Sequence, residues 1–206
     1  MLVHPLQWAA KSASSNVLME TSFRTYASDN GMIVFEQKFP STLSAADLGT
    51  PALSAPSSGT SSQTVFPGFR RNTGPADGLA CFSYHGVFPA MTATTVAKYA
   101  QSHQGGTPLA IYDAADPALP MLVFSPLNFP KAHHMASGDA FFGAGVKDTV
   151  TEIPAGWSQL FLLSAATGIN DGMMAWGNRM LQFTGKPRAD PYRDLTHSSI
   201  GFWTDK

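Results

Sequence analysis

Strand-like segments separated by turn-forming residues run through most of this sequence, and only one later stretch has a helical pattern. Residues 21–40, 79–88, 108–127 and 139–168 have strand composition, and Gly-, Pro- and Asp-containing turns punctuate them. No helical periodicity lies between these segments, as it would in βαβ units. The pattern therefore predicts an all-β fold, an antiparallel β-sandwich that forms one domain over residues 1–196.

Residues 21–40 are the clearest hairpin. A loop at residues 29–31, with Gly31 as its left-handed residue, would pair Phe23 with Gln37. Side chains alternate across a strand, so this register gives the hairpin an apolar and a charged face. The apolar face holds Phe23, Ile33, Phe35 and Phe39, and the charged face holds Arg24, Glu36 and Lys38.

Residues 47–64 are almost all small or turn-forming. Such residues bury little apolar surface and cannot offset the entropy of ordering the chain, so we expect a surface loop there.

Residues 170–184 carry the helical pattern. Asn170 or Asp171 can cap its start, and Gly185 supplies a left-handed stop. Apolar side chains recur at spacings of three and four residues, namely Met173, Trp176, Met180 and Phe183. The stretch is predicted to be an amphipathic helix whose apolar stripe packs on the core.

Charge and cysteine content narrow the classes of function. The 13 basic and 14 acidic residues nearly cancel and form no basic run, so we expect no nucleic acid partner. No run of 18 apolar residues occurs, so we expect no membrane partner. Cys81 is the single cysteine and lies in an apolar stretch, which predicts a buried, inert thiol.

The six histidines and the acidic residues form no recognised catalytic or metal-ligating pattern. His133 and His134 are adjacent and would point to opposite sides of an extended chain. His4, His85 and His103 have no Cys or carboxylate at a ligand spacing, so loop or surface positions are expected for all five. Most Asp residues lie in turns, where they bend or cap the backbone. We therefore predict no metal site and no cofactor.

Five segments carry a resemblance to a known family: TSFRTYASDNGMIVFEQKFP, VFSPLNF, EIPAGW, GINDGMMAWGNRMLQFTGKPR and HSSIGFWTD. In that order they resemble a group of glycoside-hydrolase-like proteins of eukaryotic microbes, which is more distantly similar to the raffinose synthase and α-galactosidase group. The resemblance runs from about residue 16 to residue 205. It implies a sandwich of the galactose mutarotase type that precedes a catalytic (β/α)8 barrel.

The first barrel strand of that family carries a W-T-D-N-G motif, and Trp203-Thr204-Asp205 match it, with Lys206 in place of Asn. The resemblance thus implies that Trp203 and Asp205 bind substrate, and that residues 197–206 are the start of a truncated barrel. Glycoside cleavage usually needs two positioned carboxyl groups, and the resemblance places these on later strands. We therefore expect no catalytic residue here, a parent protein that is a glycosidase or transglycosidase, and no hydrolysis by this chain alone.

The expected role is that of an accessory sandwich that packs on and supports the catalytic barrel. Its contact face, including the helix and a strand at residues 200–204, should then be apolar and exposed, and could recruit a second copy as a dimer. One alternative is a stand-alone carbohydrate-binding module that uses Trp8, Trp157 or Trp203 as a sugar platform. Another is a structural or interaction domain with no sugar role.

Overall fold

A computed structural model of the chain describes residues 1–9, 17–44, 47, 53–54, 61–70, 79–85, 90–95, 108–129, 132–138, 141–193 and 198–199. The strands, in chain order, are β1 (Leu2–Ala9), β2 (Val17–Tyr26), β3 (Asp29–Lys38), β4 (Leu43–Ser44), β5 (Leu53–Ser54), β6 (Ser61–Ser62), β7 (Gly68–Arg70), β8 (Leu79–His85), β9 (Ala90–Thr95), β10 (Leu109–Asp113), β11 (Pro120–Pro126), β12 (His133–Gly138), β13 (Phe141–Val146), β14 (Glu152–Ile153) and β15 (Ser158–Thr167). They are followed by helix α1 (Ile169–Thr184) and a short 3-10 helix, Pro191–Arg193.

The strands form one large sheet and a smaller one, and all of their pairings are antiparallel. The large sheet has eight strands in the order β1-β2-β3-β15-β11-β10-β8-β9. The small sheet has the order β12-β13-β7, and two short ribbons, β14-β4 and β5-β6, complete the pattern. The predicted all-β antiparallel fold is confirmed.

Aromatic side chains fill the space between the two sheets. Phe124 and Phe161 of the large sheet stack with ring centroids 5.6 Å apart, and Phe124 meets Phe142 of the small sheet edge-on at 5.5 Å. Phe69 of β7 stacks on Phe142 at 6.0 Å. Tilted and offset contacts of this kind are the favoured arrangements of aromatic rings. These rings belong to one buried core that includes Cys81, so the two sheets pack face to face as a sandwich.

The hairpin of β2 and β3 has the predicted faces but not the predicted register. Phe23 pairs with Phe35, not with Gln37, and the turn lies at residues 27–28. Gly31 has no left-handed backbone conformation. The prediction was wrong by two residues along the strand. A shift of two leaves every side chain on its original face, which is why the apolar and charged faces were correct.

Residues 62–64, at the end of the stretch predicted to be a surface loop, are in fact part of the interior. The side chains of Ser62, Gln63 and Thr64 are buried. The Gln63 side-chain amide donates to the carbonyl oxygens of Asp148 (3.0 Å) and Val150 (2.8 Å). Small polar residues can be buried when hydrogen bonds replace water, and composition alone does not reveal that exchange.

Segment 62–67 continues alongside β13. Its backbone amides at Gln63 and Phe66 donate to the carbonyls of Val146 and Ala144, each over 2.8 Å. The Thr64 hydroxyl donates to the Gln37 side-chain oxygen of β3 over 2.6 Å. The segment therefore links the small sheet to the large one. The remainder of residues 47–64 is described only at residues 47 and 53–54.

Helix α1 lies on the outer face of the large sheet, against β15 and β11. Its predicted apolar stripe packs against a buried group on that face, Met32, Val34, Leu162, Ala110, Met121 and Val123. Gly185 adopts the predicted left-handed conformation at φ 66° and ends the helix. The predicted cap was wrong, because the helix begins one residue earlier and Gly168 occupies the N-cap without a side-chain hydrogen bond. Asp171 lies in the first turn, where a negative charge favours the helix dipole.

The outward face of α1 contradicts the expected apolar surface. Its exposed residues are polar apart from Met174, namely Asn170, Asp171, Asn178, Gln182 and Thr184. The large apolar side chains of the helix are used against the sheet, so few remain for its other side. None of the helices in the described segments is long and apolar enough to cross a membrane.

Arg179 anchors α1 to the hairpin turn and to β15. Its Nε and Nη2 donate to the two carboxylate oxygens of Asp29, each over 2.7 Å. Its Nη1 donates to the Ser164 hydroxyl (2.6 Å) and to the Ala165 carbonyl (2.9 Å). The guanidinium holds the pKa of Asp29 below its ordinary value, mainly through these hydrogen bonds. Bidentate pairs of this geometry are among the stronger polar contacts in proteins.

Candidate functional site

A row of three aromatic rings runs from the core to the surface at one end of the sandwich. Phe39 is fully buried, Trp157 is half-buried, and Phe129 is 50% exposed. The ring centroids of Phe39 and Trp157 are 5.7 Å apart, and those of Trp157 and Phe129 are 5.3 Å apart. Trp157 is one of the three tryptophans proposed above as a sugar platform, and it lies between a buried ring and an exposed one.

A tight turn positions Trp157. Residues 154–157 form the predicted turn, in which Gly156 has φ 79° and the Trp157 amide donates to the Pro154 carbonyl over 3.1 Å. Phe39 pairs with this turn, because its amide donates to the Trp157 carbonyl (2.9 Å) and its carbonyl accepts from Gly156 (2.8 Å). Two backbone hydrogen bonds therefore hold the inner rings in place.

Phe129 has an unusual backbone conformation, with φ 44°. A bulky residue rarely adopts positive φ, and such a conformation costs about 1–3 kcal/mol. The side chain of its neighbour Asn128 hydrogen-bonds to the backbone of β15. Its Nδ2 donates to the Ser158 carbonyl (3.0 Å), and its Oδ1 accepts from the Leu160 amide (2.7 Å). The Phe129 carbonyl accepts from the Ala132 amide over 2.9 Å. These contacts hold the strained residue with its ring half in solvent.

A second candidate is the charged outer face of β1, β2 and β3, which forms a groove of about 220 Å³. Glu20 and Glu36 both line it. Glu36 accepts from Arg24 and from the Ser22 hydroxyl, and Glu20 lies 3.9 Å from the Lys38 ammonium. Each carboxylate therefore has a cationic partner.

His133 and His134 are fully buried, which corrects their prediction as loop or surface residues. They point to opposite sides of β12, as their adjacency predicted, but both sides of this strand are covered. The His133 ring lies edge-on to Phe161 with centroids 6.4 Å apart, and Nδ1 of His134 is 2.7 Å from the Ser62 hydroxyl. Burial lowers the pKa of His134 to about 4, because the charged imidazolium is poorly solvated there. His134 is therefore neutral near pH 7.

The Cys81 thiol is buried in the core between the sheets, as predicted. Burial raises its pKa to about 11, so little thiolate forms near neutral pH. An inert, structural role fits this environment. Within the described segments, no group of three or more His, Cys, Asp or Glu side chains is arranged to hold a metal ion.

The two substrate-binding residues expected from the resemblance, Trp203 and Asp205, lie outside the described residues, as does the strand at residues 200–204. Trp8 lies in β1, but its side chain is also outside the described part. The sequence singled out Trp157 as a candidate sugar platform but did not single out Phe129. The available signal was an aromatic residue between Asn128 and Pro130, which is turn-like context rather than strand context.

Comparison with models of known protein families, with curated proteins and with solved structures finds no match to this chain.

Proposed function

We propose that this chain is the non-catalytic accessory β-sandwich of a glycoside hydrolase or transglycosidase, and that it packs on and supports a catalytic barrel domain. The proposal rests on the family resemblance of the five segments and on two properties of the described residues. One is the antiparallel sandwich itself. The other is that both carboxylates of the groove on β1–β3 are engaged in ion pairs, Glu36 with Arg24 and Glu20 with Lys38.

The rigid attachment of α1 to the large sheet supports this role most directly. Trp176 donates its indole N–H to the Ser125 hydroxyl over 2.8 Å. Arg179 donates hydrogen bonds to Asp29, Ser164 and Ala165. The chain leaves this helix at Gly185 and continues through exposed residues 186–190. A domain that supports another must hold the connecting chain in a defined direction. The contacts of Trp176 and Arg179 fix the direction of α1, from which that chain continues.

The polar outward face of α1 is compatible with a contact between domains. Interfaces between domains of one chain are more polar than obligate subunit interfaces. The exposed residues Asn170, Asn178 and Gln182 offer neutral donors and acceptors, and Met174 adds one apolar contact. We expect the supporting contact to include this face.

A fusion protein tests the proposal. A catalytic barrel of the raffinose synthase and α-galactosidase group, with its own first strand, is joined after Thr196, and its Tm and hydrolysis of aryl glycosides are compared with those of the barrel alone. We expect the sandwich to raise the Tm and activity of the barrel, and the isolated sandwich to hydrolyse none of the substrates.

The fusion that carries Arg179→Met is the control, since it keeps the sandwich and loosens the helix. It should lose most of the gain. If the barrel behaves alike with and without the sandwich, the accessory role is wrong; hydrolysis by the isolated sandwich would refute its non-catalytic character.

A further inference from the structure

We propose that Phe129, supported by Trp157, is a binding site for the apolar face of a single sugar ring. The choice of a sugar as the ligand rests on the function proposed above. The location of the site rests on the geometry of the aromatic row alone.

Packing does not account for the conformation of Phe129. The residue adopts φ 44°, and its ring is nevertheless 50% exposed. A strained conformation persists only where its surroundings impose it, and such residues cluster at functional sites. An asparagine at this position would tolerate the same backbone at lower cost, because its short polar side chain suits the left-handed region. The exposed ring is thus kept at the expense of stability, which is the usual pattern for a residue that contacts a ligand.

The chemistry around the ring favours a neutral ligand with hydroxyl groups. The described loops beside the row, residues 39–42 and 154–158, carry no charged side chain. Ser41 and Thr42 are exposed, and Thr42 Oγ1 accepts from the Ala155 amide over 3.2 Å, which leaves its hydroxyl proton available. The face of an aromatic ring is electron-rich and attracts the weakly positive C–H groups of a pyranose, and the exposed hydroxyl of Thr42 lies on the loop that contacts the turn of Trp157.

The angle between the rings limits the size of the ligand. The planes of Phe129 and Trp157 are inclined by 36°, so the two rings do not form a flat platform. A planar row of rings would suit an extended, flat polysaccharide surface. An inclined pair presents one outer ring face, and therefore suits one sugar unit of a soluble oligosaccharide.

Leu119 provides a matched control, because it is the other described non-glycine residue with positive φ, at 47°. It lies just before β11, whereas Phe129 lies shortly after it, so the two are separated by roughly 25 Å of extended strand. The Leu119→Asn and Phe129→Asn variants should relieve similar strain. Only the second removes a ring from the row.

The test measures two properties of the full chain and its variants: Tm, and retardation in gels that contain soluble galacto-, gluco- or manno-oligosaccharides. We expect the unmodified chain and Phe129→Tyr to be retarded by at least one glycan. Phe129→Asn should bind the glycan at least about tenfold more weakly, because it loses one aromatic contact. Its Tm should stay equal or rise. Leu119→Asn should be retarded like the unmodified chain.

Three results would overturn the proposal. They are no retardation of the unmodified chain by any of the three glycans, retardation that survives Phe129→Asn, and a fall in Tm for Phe129→Asn, which would show that the ring serves packing. These results are separable from failure of the accessory role. If the fusion stabilises its barrel but the chain is not retarded by any glycan, the accessory role stands and the sugar site is wrong. If the chain is retarded but the barrel is not stabilised, the sugar site stands and the accessory role is wrong.

Discussion

Gly31 and Arg179 occupy adjoining space, and the absence of a side chain on the first makes room for the second. A β-carbon built on Gly31 would collide with Nη2 of Arg179 and would lie 2.8 Å from the Ala165 carbonyl oxygen. The glycine of this hairpin is therefore required by a helix that follows much later in the chain. Backbone freedom, the usual reason for glycine beside a turn, does not apply to it.

Gly31→Ala should destabilise the protein by about 1–3 kcal/mol, the usual cost of overpacking a filled site. Gly177 is the matched control, because it lies in α1 and a β-carbon there would meet nothing within 4 Å. Gly177→Ala should stabilise the helix by about 0.5–1 kcal/mol. Urea unfolding measures both, and a neutral Gly31→Ala would contradict the steric account.

Arg179→Met should lower the free energy of unfolding by about 2–4 kcal/mol, because it leaves the Asp29 carboxylate partly buried without its cation. Lys38→Met tests a surface pair instead. The Lys38 ammonium is 3.9 Å from Glu20, and its side chain is 51% exposed, so the loss should stay below about 1 kcal/mol. Equal losses for the two variants would show that the Asp29 contact adds nothing beyond an exposed pair.

Gln159→Met should stabilise the protein by about 1–3 kcal/mol. The Gln159 amide is fully buried, and neither its nitrogen nor its oxygen has a hydrogen-bond partner among the described atoms. Burying such a group unpaired is costly, and an apolar side chain of similar shape removes that cost. Chemical denaturation gives the difference, and a destabilised Gln159→Met would show that its amide contributes to the fold.

Gln37→Met is the control for that change, since Gln37 stands directly opposite Gln159 on the neighbouring strand. Gln37 is equally buried, but it accepts from Thr64 and donates to the Phe66 carbonyl. Its replacement leaves both partners unsatisfied and should cost about 1–3 kcal/mol. The two glutamines are therefore expected to give changes of opposite sign.

Stability should fall as pH decreases from about 6.5 towards 4, because His134 is buried in its neutral form with a pKa of about 4. A histidine in the unfolded chain titrates near pH 6.5, so the unfolded state binds more protons throughout this interval. Its contribution is complete above pH 6.5 and is lost as pH falls to the folded-state pKa. We expect unfolding at pH 5 to require about 2 kcal/mol less than at pH 7 from this group.

His134→Gln removes the titrating group and should flatten the pH dependence between 4 and 6.5, even if it lowers stability overall. Urea unfolding at several pH values gives the slope for both proteins. An unchanged slope in the variant would assign the pH dependence to other groups.

Local pattern was sufficient for those features that depend on local periodicity. The alternation in residues 21–40 predicted which side chains of the hairpin share a face, and this survived a wrong register because side-chain direction repeats every two residues. The spacing of Met173, Trp176 and Met180, with Gly185 after them, likewise predicted α1 and the stripe that packs on the sheet. An apolar neighbourhood was enough to place Cys81 in the core.

Residues far apart in the chain decided the remainder. Asp29 and Arg179 are 150 positions apart, and their pairing secures the hairpin turn to α1. Ser62 and His134 are separated by 72 positions, and their mutual hydrogen bond allows two polar side chains to be buried where composition indicated surface. Short-range periodicity was thus sufficient to predict the antiparallel class, the faces of the strands and the helix. The register, the polar interior and the exposed ring of Phe129 depend on partners that no local pattern specifies, so they emerge only from the folded chain.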